Sequence, residues 1–156
     1  NYSRHLRKSS SGGIGSPTSG QRILSSQALA KNTRAGTVRA QEQLAKIFRG
    51  KEEVTIRTGV GYLGRRKVDV WVSPNRALEL KFGKDPVTCI ELSKDISLRE
   101  KGGTLAKSGK FVPLVETEYH FVDNPVAGTH YAKEDLAVLD YYGIPWHVWG
   151  PEFWEL

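Results

Sequence analysis

Ala40, Leu44, Ile47 and Phe48 recur at helical spacing ahead of Gly50, which predicts a helix running from about Ser25 to that glycine. The period then changes to two. Val54-Thr55-Ile56-Arg57 reads as a strand, and a glycine-bearing turn over 59–64 follows. Arg66-Lys67-Val68-Asp69-Val70-Trp71-Val72 and Ala77-Leu78-Glu79-Leu80-Lys81-Phe82 read as a hairpin turning at Ser73-Pro74-Asn75. Pro86 is placed to open a helix from Val87 to about Arg99, with Cys89, Ile90, Leu92 and Ile96 on its apolar side and Cys89 a small buried residue. A flexible stretch is expected over 101–110, a strand from Phe111 to Val122, and a helix from Tyr131 to Tyr142 stopped by Gly143. Ile144 to Trp149 closes the pattern as a strand near a sheet edge, because Pro145 lacks a donor for the ladder. The order helix, three strands, helix, strand, helix, strand predicts an α/β fold with a mixed central sheet flanked by helices.

Residues 1–24 carry little to bury and are basic and rich in Ser and Gly, with Ser9-Ser10-Ser11-Gly12-Gly13 at their centre, so they read as a linker ahead of one domain over 25–156. A chain of 156 residues that is 38% hydrophobic suits one domain with a real core, and no apolar run approaches the length of a membrane span. The absence of methionine leads us to expect an excised or processed piece of a longer polypeptide. The single Cys89 excludes an internal disulfide and a cysteine-based zinc site. Charge is uneven: residues 1–67 hold 14 Lys and Arg against 3 acids, residues 68–156 hold 9 against 14. The first part is suited to attracting a polyanion, unless its charge serves only solubility.

The hairpin carries the candidate chemistry. Alternation along a strand puts Glu79 and Lys81 on one face with Ala77, and Leu78, Leu80 and Phe82 on the other. Asp69 is likewise expected opposite in sense to Val68, Val70 and Val72, so pairing of the strands would bring Asp69, Glu79 and Lys81 to one patch. Two carboxylates can hold a hard cation such as Mg²⁺, which neutralises phosphate charge and acidifies a bound water. The lysine can orient or deprotonate that water and stabilise developing charge. Taken alone, the same residues also fit an exposed hairpin face of solvated charges, and Glu42 a solvated surface glutamate. Gly59-Val60-Gly61 lacks the spacing and the following helix of a phosphate loop.

The element order, the Asp69 to Glu79-Leu80-Lys81 pattern and the upstream helix resemble the PD-(D/E)XK nucleases, the restriction-endonuclease-like fold, over roughly residues 33–149. The resemblance implies that Asp69 and Glu79 bind Mg²⁺, or Mn²⁺ in its place, and that Lys81 assists the attacking water. It also implies a metal-associated role for Glu42, in the setting Glu42-Gln43-Leu44-Ala45. Lys94, on the helix after the triplet, falls where related enzymes place a polar residue facing the site, with Ser93 and Asp95 competing for that role. Val68 stands where many members have proline. His120 and His147 lie among aromatics and read as core histidines, outside the catalytic set.

The basic Ser/Gly leader and the small terminal domain resemble the C-terminal toxin modules of bacterial polymorphic toxins, of the contact-dependent inhibition or Rhs type. That resemblance implies delivery from a larger carrier polypeptide into the cytoplasm of a target bacterium. It further implies a cognate immunity protein, acidic where it meets the basic first part or blocking the cleft that holds Lys81. The expected activity is a metal-dependent endonuclease acting on DNA, with tRNA or other RNA as the alternative substrate. A catalytically silent nucleic-acid-binding module and a purely structural domain are the other classes.

Overall fold

The computed structural model describes residues 26–83, 85–123 and 133–156; the linker expected over 1–24 lies outside them, as does the start of the helix expected from Tyr131. The described residues form a mixed α/β fold in the order α1 (Ser26–Phe48), β1 (Lys51–Thr58), β2 (Arg65–Val72), β3 (Arg76–Phe82), α2 (Cys89–Lys101), β4 (Gly103–Leu105), β5 (Phe111–Val112), β6 (Glu116–Val122), α3 (Lys133–Tyr141) and β7 (Trp146–Val148). The strands make one sheet in the spatial order β5-β4-β1-β2-β3-β6-β7. Its first five strands pair antiparallel, whereas β6 runs parallel to both β3 and β7. None of the described helices is long and apolar enough to cross a membrane.

Each face of the sheet carries its own core. On one face α1 sets Ala40, Leu44 and Ala45 against Val70, Leu78, Leu80 and Phe82, and Trp149 and Phe153 close that cluster. Gly36 lets α1 approach β3, since a Cβ there would sit 2.8 Å from the Phe82 ring. On the other face Leu92, Leu136 and Leu139 pack with Tyr119, Phe121 and Trp146, and Leu98 packs with Ile56, Val68 and Ala77. Burial of one such large side chain stabilises the fold by about 1.5–3 kcal/mol. The two faces of β3 therefore divide as its alternation predicts: the leucines meet α1, and Glu79 and Lys81 turn toward α2.

Four expectations are corrected. The stretch from Phe111 to Val122 is two strands, because Pro113 interrupts the ladder: β5 joins one edge while β6 enters beside β3. Part of the expected flexible stretch pairs as β4 with β1. Helix α2 starts at Cys89, with Thr88 as its N-cap, and this first position leaves the Cys89 side chain exposed, where a buried one was expected. Finally, β2 does not alternate regularly. Val68 packs with Ile56 and Leu98, whereas Val70, two residues on, packs with Leu44 and Leu78. The change of face falls at Asp69, and Glu53, between the residues paired to Val68 and Val70, has the left-handed φ of 52°.

The histidines are core residues, as expected. His120 is wholly buried; its Nδ1 accepts from Trp149 Nε1 at 2.9 Å, so its proton sits on Nε2, which donates to Glu118 Oε1 at 3.0 Å. Arg76 holds Glu118 from the other side at 2.8 and 3.0 Å. Burial pushes the His120 pKa down, outweighing the pull of Glu118.

Candidate active site

The deviation at Asp69 is what delivers its carboxylate to β3. Asp69 Oδ2 accepts the Leu80 amide at 2.7 Å, taking a backbone donor at the point where the β2–β3 ladder stops. The residue is thereby fixed beside Glu79. The two carboxyl groups interact directly, and burial pushes the Asp69 pKa up despite the Leu80 amide, Glu79, Arg66 and Lys81.

Glu79 and Lys81 project together toward α2, each only 6% exposed. Burial drives the Glu79 pKa well above the carboxylate range, with the Asp69 charge adding to the rise and Arg66 opposing it. Its Oε1 is buried without a hydrogen bond, although Arg66 Nη1 lies 3.2 Å away as an ion-pair contact. Lys81 Nζ lies 3.4 Å from Glu79 Oε2 and donates to Glu91 at 2.9 and 3.2 Å. Burial alone would lower the Lys81 pKa, but Glu79 and Glu91 outweigh it and raise it, so the side chain stays an ammonium.

Asp95, a competitor for the site-facing role on α2, and three residues without a place in the sequence argument, Arg66, Glu91 and Tyr119, complete the cluster. Arg66 reaches from β2 to Asp95, with Nε 2.9 Å from Oδ1 and Nη2 3.4 Å from Oδ2, and lies 3.8 Å from Glu91. Tyr119, the β6 residue paired in register with Glu79, donates its hydroxyl to Asp95 at 2.6 Å. Glu91 and Asp95 stand four apart on α2 and so share the face turned to the sheet. The Thr88-x-x-Glu91 capping-box spacing and the Glu91–Asp95 interval were visible signals for that helix face. Nothing local marks Arg66 or Tyr119, which join the cluster only through strand pairing.

The structure thus brings Asp69, Glu79 and Lys81 together. It does not bring Glu42 to them: Glu42 is exposed on α1, which packs against the leucine face of β3. Lys94 is turned away too, its Nζ donating to the Arg65 carbonyl at 2.8 Å, and Ser93 bonds back to the Cys89 carbonyl. Of the three residues competing on α2, Asp95 is the one that reaches the cluster, through Arg66.

The donors present are all oxygens, the type that a hard cation takes. Four carboxyl groups, of Asp69, Glu79, Glu91 and Asp95, face two cations, Arg66 and Lys81, and the buried Glu79 Oε1 has the Arg66 ion-pair contact at 3.2 Å but no hydrogen bond. Among the described residues no group of three or more His, Cys, Asp and Glu side chains is arranged as a metal cage. Mg²⁺ does not need one, because it takes one or two carboxylates and leaves its other positions to water and phosphate. In comparisons with known proteins, no family model, no curated protein and no solved structure matches the chain.

Proposed function

We propose that this protein is a metal-dependent endonuclease that hydrolyses phosphodiester bonds of DNA, built on a PD-(D/E)XK core. The observation that carries the reading is the meeting of Asp69, Glu79 and Lys81 beside a buried carboxylate oxygen that lacks a hydrogen bond. The order α1-β1-β2-β3-α2-β6-α3-β7 supports the same core, with β4 and β5 added at one edge. Asp69 and Glu79 would hold Mg²⁺, which when bound polarises the phosphate and acidifies water. Lys81 supplies a fixed positive charge beside it, suited to orienting the attacking water and stabilising charge on the phosphate oxygens. Glu42 and Lys94, placed away from the cluster, are left out of this site. As a toxin domain, the protein would be delivered by its carrier into a target bacterium and restrained in the producer by an immunity protein; the Ser/Gly leader and basic first part of the sequence support that role.

The test is incubation with plasmid DNA and with total tRNA, in Mg²⁺ or EDTA, beside Lys81→Ala, with thermal melts to establish that the variant folds. Mg²⁺-dependent loss of plasmid that a folded Lys81→Ala lacks is the expected result. Cleavage of tRNA alone would move the substrate to RNA, and intact nucleic acid in every condition would remove the nuclease reading.

A further inference from the structure

Glu91 makes more contacts than a helix cap requires. As the third residue of α2 it closes a capping box: its backbone N–H donates to Thr88 Oγ1 at 3.3 Å, and its Oε1 accepts from the Thr88 amide at 3.3 Å and from the Thr88 hydroxyl at 2.9 Å. These bonds already fix the carboxylate to the helix. It nevertheless also takes both hydrogen bonds from Lys81, at 2.9 and 3.2 Å, across the gap between α2 and β3.

We propose that Glu91 is a positioning residue of the candidate site, which ties the Lys81 ammonium to the N-terminus of α2 and holds it closer to Glu91 than to Glu79. The assignment rests on the nuclease reading for its chemical purpose, whereas the contacts stand without it. A lysine head on a four-carbon stem has several rotamers of similar energy, so a charge meant for one point in space needs an anchor that does not move with it. Glu91 is such an anchor, because Thr88 holds it from the helix side. The alternative partner is Glu79, whose Oε2 is 3.4 Å from Nζ, farther than either Glu91 oxygen. Without Glu91 the ammonium would settle on Glu79 and occupy a carboxylate that the site needs for a cation. Arg66, 3.8 Å from Glu91 Oε2, holds the same carboxylate from the β2 side.

Glu91→Gln separates anchoring from capping, since glutamine also serves at this position of a capping box but carries no charge for the ammonium. Ser93→Gly, on the exposed side of the same helix, weakens the helix without touching Lys81 and is the control for stability. Glu91→Gln is expected to lower kcat for plasmid cleavage about 100-fold, the size of effect that misplacing a catalytic group produces, with KM little changed. Ser93→Gly is expected to lower the melting temperature and leave kcat unchanged. The second readout needs no cleavage: in ¹⁵N-lysine-labelled protein, the hydrogen-bond-protected ammonium signal, assigned by its loss in Lys81→Met, should keep its chemical shift in Ser93→Gly and move in Glu91→Gln, as the ammonium transfers toward Glu79. An unmoved signal in Glu91→Gln, or an equal kcat loss in Ser93→Gly, would overturn the proposal. If the wild-type protein cleaves nothing, the nuclease reading falls and the ammonium signal alone decides on Glu91.

Discussion

Arg66→Met tests the electrostatic organisation of the site through stability alone. Arg66 is 5% exposed and Asp95 2%, so neither charge can turn to water when its partner is removed. Asp95 would lose the guanidinium bonds at 2.9 and 3.4 Å and keep only the Tyr119 hydroxyl at 2.6 Å, while Glu79 would keep Lys81 at 3.4 Å. Stranding a buried charge by removing one partner costs about 3–5 kcal/mol, and the surviving Tyr119 and Lys81 contacts place this variant near the lower end, about 3 kcal/mol. With an m-value of about 2 kcal/mol/M, the urea midpoint falls by about 1.5 M. Adding Asp95→Asn to Arg66→Met should recover about 1 kcal/mol or more, since the charge most dependent on Arg66 is then absent. A loss under about 1 kcal/mol in Arg66→Met, or no recovery in the double variant, would show that the cluster is solvated and refute this account of it.

Other outcomes follow from the same contacts. The depressed His120 pKa means that the neutral ring contributes stability above the ordinary histidine value of 6.5, and that this contribution is lost as pH falls below it toward the folded value. Urea melts across that range should therefore show a shallower acid loss in His120→Gln, which still offers a donor to Glu118 and an acceptor to Trp149; an unchanged slope would contradict the buried neutral ring. Gly102→Ala should cost well over the roughly 1 kcal/mol expected of Gly109→Ala, for although φ is 71° and 76° at the two positions, a Cβ at Gly102 would strike the Val112 carbonyl and nothing lies within 4 Å at Gly109. Equal thermal shifts would count against that contact. Glu42→Gln should leave both melting temperature and plasmid cleavage near wild type, and a large loss of cleavage would bring α1 back into the site.

The sequence by itself determined the alternation of β3, and with it the division of Leu78, Leu80 and Phe82 from Glu79 and Lys81, because strand geometry turns neighbouring side chains to opposite faces whatever lies around them. It also determined the helix and strand order apart from β4 and β5, the Gly143 stop, the edge position of β7 and the core placement of His120 and His147, all of which follow from local periodicity and backbone chemistry. Tertiary structure decided the rest. The face change at Asp69 falls opposite the left-handed Glu53 of the neighbouring strand, and the split at Pro113 sends β5 and β6 to distant places in one sheet. Arg66, Asp95 and Tyr119 meet only because β2, α2 and β6 are packed together, and a buried ion cluster has no signature within any one of them. Glu42 and Lys94 sit on the helices expected from the sequence, yet the rotation and packing of each helix point them away from the cluster: what a residue faces is set by the neighbour its element packs on, which no local spacing specifies.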